Sequence, residues 1–197
     1  MLNGLIRTPI TKIMTPVARG LLRVGVTPNM VTAAGTLGAA ASALLLYPTG
    51  HLFGGTIAIT AFIFSDVIDG TMARLSGNSS RWGAILDSTL DRIGDAAIFV
   101  GLILFYAHHD RLMALLAFVS LVAGGLVPYV KARAESLGIF CDGGLAERAE
   151  RIIAILVSTG VSGLGVPFIG AIGLWLVVIA TVITFIQRMM QVWRSNV

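Results

Sequence analysis

Long apolar runs separated by short polar turns set the pattern of this chain. Residues 29–47, 52–75, 82–107, 112–135, 148–161 and 168–190 are largely apolar. Most of these runs approach or exceed the roughly 20 residues that a helix needs to cross a bilayer. The spacing predicts an all-α bundle of six transmembrane helices. Thr27-Pro28-Asn29 forms a helix start, with Pro28 in the first turn and polar neighbours able to cap it. Gly35, Gly38, Ala39 and Ser42 keep the first run slim, which lets helices approach closely in lipid. Residues 48–51, 76–81 and 108–111 read as short connections and residues 136–147 as a longer polar segment. Pro128 predicts a kink in the fourth helix. Residues 2–22 follow another rule. Leu2, Leu5, Ile6, Ile10, Ile13, Met14, Val17 and Leu21 recur at helical spacing, with Arg7, Lys12 and Arg19 between them. This predicts an amphipathic N-terminal segment, residues 1–23, lying in the membrane interface.

Composition agrees with a bilayer protein. Of 197 residues 56% are hydrophobic and 12% charged, against about 25% charged in soluble domains, and the mean hydropathy is +0.88. Six spans use the whole length, so residues 1–197 are expected to form a single domain. Cys141 is the one cysteine, which excludes an internal disulfide. The first residues do not resemble a cleavable signal peptide. Of the 14 Lys and Arg residues, only Arg111 falls on the face opposite the N-terminus in a six-span arrangement. The positive-inside rule then places both termini in the cytoplasm and the chain in the cell membrane. Nucleic acid is not expected as a partner.

The acids are not scattered. Asp66 and Asp69 stand at i, i+3 near the cytoplasmic end of the second run, and Asp87 and Asp91 at i, i+4 near the start of the third. Each spacing puts two carboxylates on one helix face, and the connection between the runs is short. Charges inside spans are costly unless paired or used. Four converging carboxylates call for hard divalent cations, and the absence of His and Cys from the cluster argues against zinc. Mg²⁺ or Mn²⁺ suits a site that must also take phosphate oxygens. The structural alternative is a buried salt-bridge network with Arg74, Arg81 and Arg92. Asp95 continues the 87–91 face one turn deeper, where a supporting role is expected rather than ligation. Gly70, Ala73 and Gly83 leave room beside the acids, and the planar fork of Arg74 suits a phosphate.

The run Asp66-Val67-Ile68-Asp69-Gly70-Thr71-Met72-Ala73-Arg74, then eight residues, Gly83, three residues, Asp87, three residues and Asp91 resembles the signature of the CDP-alcohol phosphotransferase family. All eight fixed positions fall within 26 residues. The resemblance implies a dinuclear Mg²⁺ or Mn²⁺ site held by Asp66, Asp69, Asp87 and Asp91. It also implies that Asp91 acts as the base toward the acceptor hydroxyl. Gly70, Ala73 and Arg74 would line the pocket of a CDP-linked lipid, with Ser80 and Asn29, Met30, Val31 and Thr32 as further contacts. A homodimer is implied as well.

A second cluster is basic: Lys131, Arg133, Arg148, Arg151 and Arg188, all expected at the cytoplasmic level of the aspartates. Anchoring to lipid headgroups accounts for some of them, but less well for Lys131 and Arg151, which lie within apolar helical stretches. The segments 128–135 and 143–151, with 15–23, are similar to those of actinobacterial phosphatidylinositol phosphate synthases. That likeness implies CDP-diacylglycerol as donor and inositol 1-phosphate as acceptor. Lys131, Arg151 and Arg188 would hold the acceptor phosphate, with Arg133 as a weaker contributor. Two alternatives stay open: a phosphatidylglycerophosphate synthase using glycerol 3-phosphate, and a cation-coupled transporter. The transporter predicts acids spread through the membrane depth, whereas here they gather at one end.

Overall fold

The computed structural model describes residues 14–76 and 80–195, the side chain of Asp66 aside. Residues 14–23 are helical; residues 1–13, which carry most of the expected amphipathic pattern, lie outside the described residues. Seven helices follow: α1 (Pro28–Leu46), α2 (Leu52–Ile63), α3 (Ser65–Ser76), α4 (Arg81–Ala107), α5 (Arg111–Ser136), α6 (Arg148–Gly163) and α7 (Ile169–Ser195). No strand occurs among the described residues. The all-α expectation holds.

Among the described residues, four stretches are long and apolar enough to cross a bilayer: Pro28–Leu46, Leu52–Ser76, Arg111–Ser136 and Ile169–Ser195. The two other runs expected to span differ for visible reasons. The first half of α4 carries Arg81, Asp87, Asp91, Arg92 and Asp95. The helix α6 has 16 residues, about 24 Å at the usual rise. Large apolar side chains such as Leu45, Ile57, Phe118, Leu176 and Trp193 are exposed along the helices, as a chain solvated by lipid requires.

The second apolar run is not one helix. It breaks at Phe64, between α2 and α3. The Ser65 hydroxyl donates to the Phe62 carbonyl at 2.6 Å, so a side chain competes with the helical ladder where it would otherwise continue. The short helix beyond the break carries Asp66 and Asp69. Through Pro128, by contrast, α5 stays a single helix from Arg111 to Ser136.

The chain forms two compact units, Met1–Ser42 with Ala58–Gly94, and Ala43–Ile57 with Asp95–Val197. In the first, α1 meets the α2–α3 break through its small residues. A Cβ on Gly35 would overlap Ser65, and one on Gly38 would overlap the Phe62 ring. In the second, α5 and α6 pack against α7. A Cβ on Gly101 would stand 2.5 Å from the Ala43 carbonyl oxygen, and one on Gly173 would overlap Ser158. Tyr47 is fully buried and its hydroxyl bonds that of Thr56 at 2.9 Å. Asp110 caps α5 by accepting from the Leu112 and Met113 amides. Cys141 is buried with Val130 and Ala134, as an inert small residue should be.

Candidate active site

The first unit holds the aspartates. Asp69 is buried on α3, 7% exposed. Its Oδ2 accepts from the Thr32 hydroxyl at 2.5 Å, a short charge-assisted bond. Thr32 comes from the first turns of α1, where its oxygen also lies 3.1 Å from the Pro28 carbonyl. Asp87 and Asp91 lie on α4, exposed and half-buried respectively, and their charges act on Asp69. Among the described side chains no three acidic, His or Cys groups are drawn together tightly enough to close on an ion. Asp66 sits on α3 one turn before Asp69. The donors in this cluster are carboxylate oxygens alone, the set that hard divalent cations prefer.

The salt-bridge alternative named Arg92 and Arg74 among its cations. The Asp91–Arg92 pair is long, 4.0 Å. Arg74 turns back along its own helix, where its Nη2 donates to Thr71 at 3.2 Å. A Cβ on Gly70 would stand 3.6 Å from Arg74 Nη1, an ordinary contact. Thr71, buried, is fixed by its bond to the Val67 carbonyl at 2.7 Å.

Ser80 caps α4 by accepting from the Gly83 amide at 2.9 Å. A Cβ on Gly83 would lie 3.2 Å from Ser80 Oγ and 3.4 Å from Asn29 Oδ1. Two residues expected in the donor pocket, Asn29 from α1 and Ser80 from the loop, thus meet at Gly83 of α4, one of the small residues beside the acids. Ala73, Asn29 and Val31 are half-buried, while Arg74, Ser80 and Met30 are exposed. Thr32 bonds an aspartate, a role its sequence position did not announce.

The second unit holds the basic residues. Arg188 on α7 is buried; its Nε donates to the Gly143 carbonyl at 3.0 Å and its Nη1 to the Val127 carbonyl at 2.9 Å. Val127 is the residue before Pro128, so Arg188 serves a carbonyl in the turn that the proline disturbs. Arg151 on α6 is buried and reaches the Ala146 carbonyl at 3.4 Å. Lys131 Nζ bonds Asp142 Oδ1 at 2.7 Å and lies 3.9 Å from Glu135. That hydrogen bond, followed by the Gly143 amide and the charges of Lys131 and Arg188, holds the Asp142 carboxyl below the usual carboxylate range. Arg133 is exposed and bonds Ser136 at 3.4 Å on its own helix. Two residues from Lys131 on a helix is about 200° of rotation, so the structure gives no support for grouping Arg133 with the others. Asp95 is engaged by the fork of Arg148, at 2.9 and 3.1 Å; it is a structural ion pair within this unit.

Comparison with known proteins places these residues in context. Residues 25–193 match the CDP-alcohol phosphatidyltransferase family. The chain is 47% identical over 205 residues to a phosphatidylinositol phosphate synthase of Streptomyces avermitilis, covering 100% of this chain and 84% of that one. It is 45% identical over 196 residues to the Mycobacterium tuberculosis enzyme of that name, covering 96% and 89%. The crystal structure of the M. tuberculosis synthase with CDP-DAG bound superposes with a TM-score of 0.89 at 45% identity, covering 92% of this chain and 94% of that one. The same synthase in complex with manganese and citrate gives 0.88, covering 91% and 88%.

Proposed function

This chain belongs to the CDP-alcohol phosphatidyltransferase family, and we propose that it transfers the phosphatidyl group of CDP-diacylglycerol to inositol 1-phosphate, giving phosphatidylinositol phosphate and CMP. The observation that carries this reading is the match over 96–100% of this chain, at 45–47% identity, to enzymes that bear that function in their name. A chain folded as six spans, with both termini and the aspartates on the cytoplasmic side, would meet a soluble acceptor there while the donor's acyl chains stay in lipid. The positive-inside distribution of Lys and Arg supports that orientation. A homodimer belongs to the same reading.

Asp66, Asp69, Asp87 and Asp91 would hold two divalent cations, Mg²⁺ or Mn²⁺. Bound there, the cations would spread the charge that develops on the phosphoryl oxygens and stabilise the CMP leaving group. The chain's own groups supply the rest. Thr32 fixes one rotamer of Asp69 and keeps one of its oxygens turned toward α1. Asn29 and Ser80 meet at Gly83, and the nucleotide would lie against them and against Gly70, Ala73 and Arg74. Asp91 would accept the proton of the acceptor hydroxyl as that oxygen bonds the lipid-bearing phosphorus and the bond to CMP breaks. Lys131, Arg151 and Arg188 would hold the acceptor's phosphate.

Two measurements check this reading. Purified enzyme supplied with CDP-diacylglycerol should release CMP with inositol 1-phosphate and not with glycerol 3-phosphate; turnover with glycerol 3-phosphate alone overturns the acceptor assignment. Thr32→Val keeps the side-chain shape and removes the hydroxyl bonded to Asp69. It should raise the Mg²⁺ or Mn²⁺ concentration for half-maximal activity by about tenfold, the scale of lost hydrogen bonds to metal ligands. An unchanged metal dependence removes Thr32 from that role.

A further inference from the structure

The segment between α5 and α6 is tied down by the same three cations that the proposed function gives to the acceptor. Arg188 donates to the Gly143 carbonyl, Arg151 to the Ala146 carbonyl, and Lys131 to the Asp142 carboxylate. From α7, Gln187 accepts from the Leu145 amide at 2.9 Å and Thr184 from the Ala146 amide at 3.0 Å. The backbone turns at Gly143 and Gly144, whose φ of 76° and 140° suit only glycine. At Gly144 a Cβ would also overlap Thr184. Residues 143–146 are therefore strapped at their backbone, and the bonds to Gln187 and Thr184 involve no cation assigned to the acceptor.

Asp142 differs from them. Its grip on Lys131 is through a side chain, at 2.7 Å, with Lys131 36% and Asp142 50% exposed. The charge of Arg188 acts on both. Asp142 also borders a cavity of about 360 Å³ lined further by Gly143, Gly144, Gln187 and Arg188. Half-exposed and on the cavity wall, its carboxylate has open space beside it. A carboxylate and a phosphate oxygen offer an ammonium the same partner chemistry, and the phosphate brings the larger charge.

We propose that Asp142 is a specificity-determining residue: its carboxylate competes with the acceptor's phosphate for Lys131. The proposal rests on the acceptor pocket described above. An acceptor without a phosphate cannot repay the broken Lys131–Asp142 bond, whereas a phosphorylated one replaces it. Asp142 thus lowers the affinity for phosphate by a small factor, and an uncharged polyol, which cannot displace it, leaves Lys131 bonded to Asp142.

The test uses full-length Asp142→Asn, with inorganic phosphate as a probe that competes with inositol 1-phosphate. Removing the competing charge should tighten phosphate inhibition and lower the acceptor KM, each by about two- to fivefold, the scale of a half-exposed ion pair. The donor KM should stay as it was. Asp142→Glu, which restores the charge, should return both values toward the starting enzyme. If phosphate competes in the unaltered enzyme but Asp142→Asn leaves its Ki unmoved or weakens it, Asp142 only positions Lys131 and the proposal fails alone. If phosphate does not compete with the acceptor at all, the pocket assignment fails and this proposal with it.

Discussion

Asp91→Asn is expected to lower CMP release by about 10²–10⁴-fold, the range for loss of a positioned general base, while CDP-diacylglycerol binds within a few-fold of the original affinity. Asparagine has the same size and keeps one oxygen in place, so the change isolates the charge and its capacity to take a proton. Asp91 suits the role better than its neighbours do. Asp69 is buried and committed to the Thr32 hydroxyl. Asp95, one turn deeper, is committed to the Arg148 fork. Asp91 keeps 23% of its side chain accessible, so an acceptor hydroxyl can approach it. A carboxylate next to cations is a weak base, so its contribution is orientation and acceptance of a proton from a hydroxyl that is becoming acidic. Equilibrium donor binding measured beside turnover separates the outcomes. Activity within tenfold of the original removes Asp91 as the base; loss of donor binding in step with turnover reassigns it to holding the donor.

The aspartates were legible in the sequence because charge in an apolar run is expensive, and four acids at helical spacing either side of a short connection leave few explanations. The break at Phe64 was not legible. Residues 52–75 keep their apolar character across it, and a serine hydroxyl choosing the Phe62 carbonyl leaves no mark on periodicity. The pairing of Asp95 with Arg148 joins residues 53 positions apart, a separation at which the sequence offers many equivalent partners. Arg133 is a different case, because the signal was present. Helical rotation alone sets it on another face from Lys131, and the structure finds it exposed. The burial of Arg151 and Arg188 could be anticipated from their apolar neighbours. Their partners could not: the Gly143 and Ala146 carbonyls face them because of two glycine turns and the bonds from Gln187 and Thr184. Side-chain identity located the chemistry, and loop geometry, which depends on the packed helices, decided what each cation holds.

Lys131→Ala and Arg151→Ala are expected to raise the acceptor KM by about tenfold and about a hundredfold respectively, with the donor KM nearly unchanged. The scale follows from losing one or more hydrogen bonds to a charged group, about 1.5–3 kcal/mol each. Arg151 should cost more, because it is 5% exposed and a charge screened less by water binds phosphate more strongly. Lys131 is partly accessible, and part of its interaction with phosphate repays the bond it gives up to Asp142. Burial also makes Arg151→Ala the riskier variant for folding, since Arg151 supports the Ala146 carbonyl. Thermal unfolding of both variants in detergent controls for this, and Lys131→Ala, at an accessible position, carries the decision if Arg151→Ala unfolds early. Headgroup anchoring predicts another pattern: donor and acceptor KM rising together, or neither rising, because an anchor holds the protein in the membrane and distinguishes no substrate. A KM effect confined to inositol 1-phosphate requires that these cations touch the acceptor, and equal effects on the two substrates return them to the membrane surface.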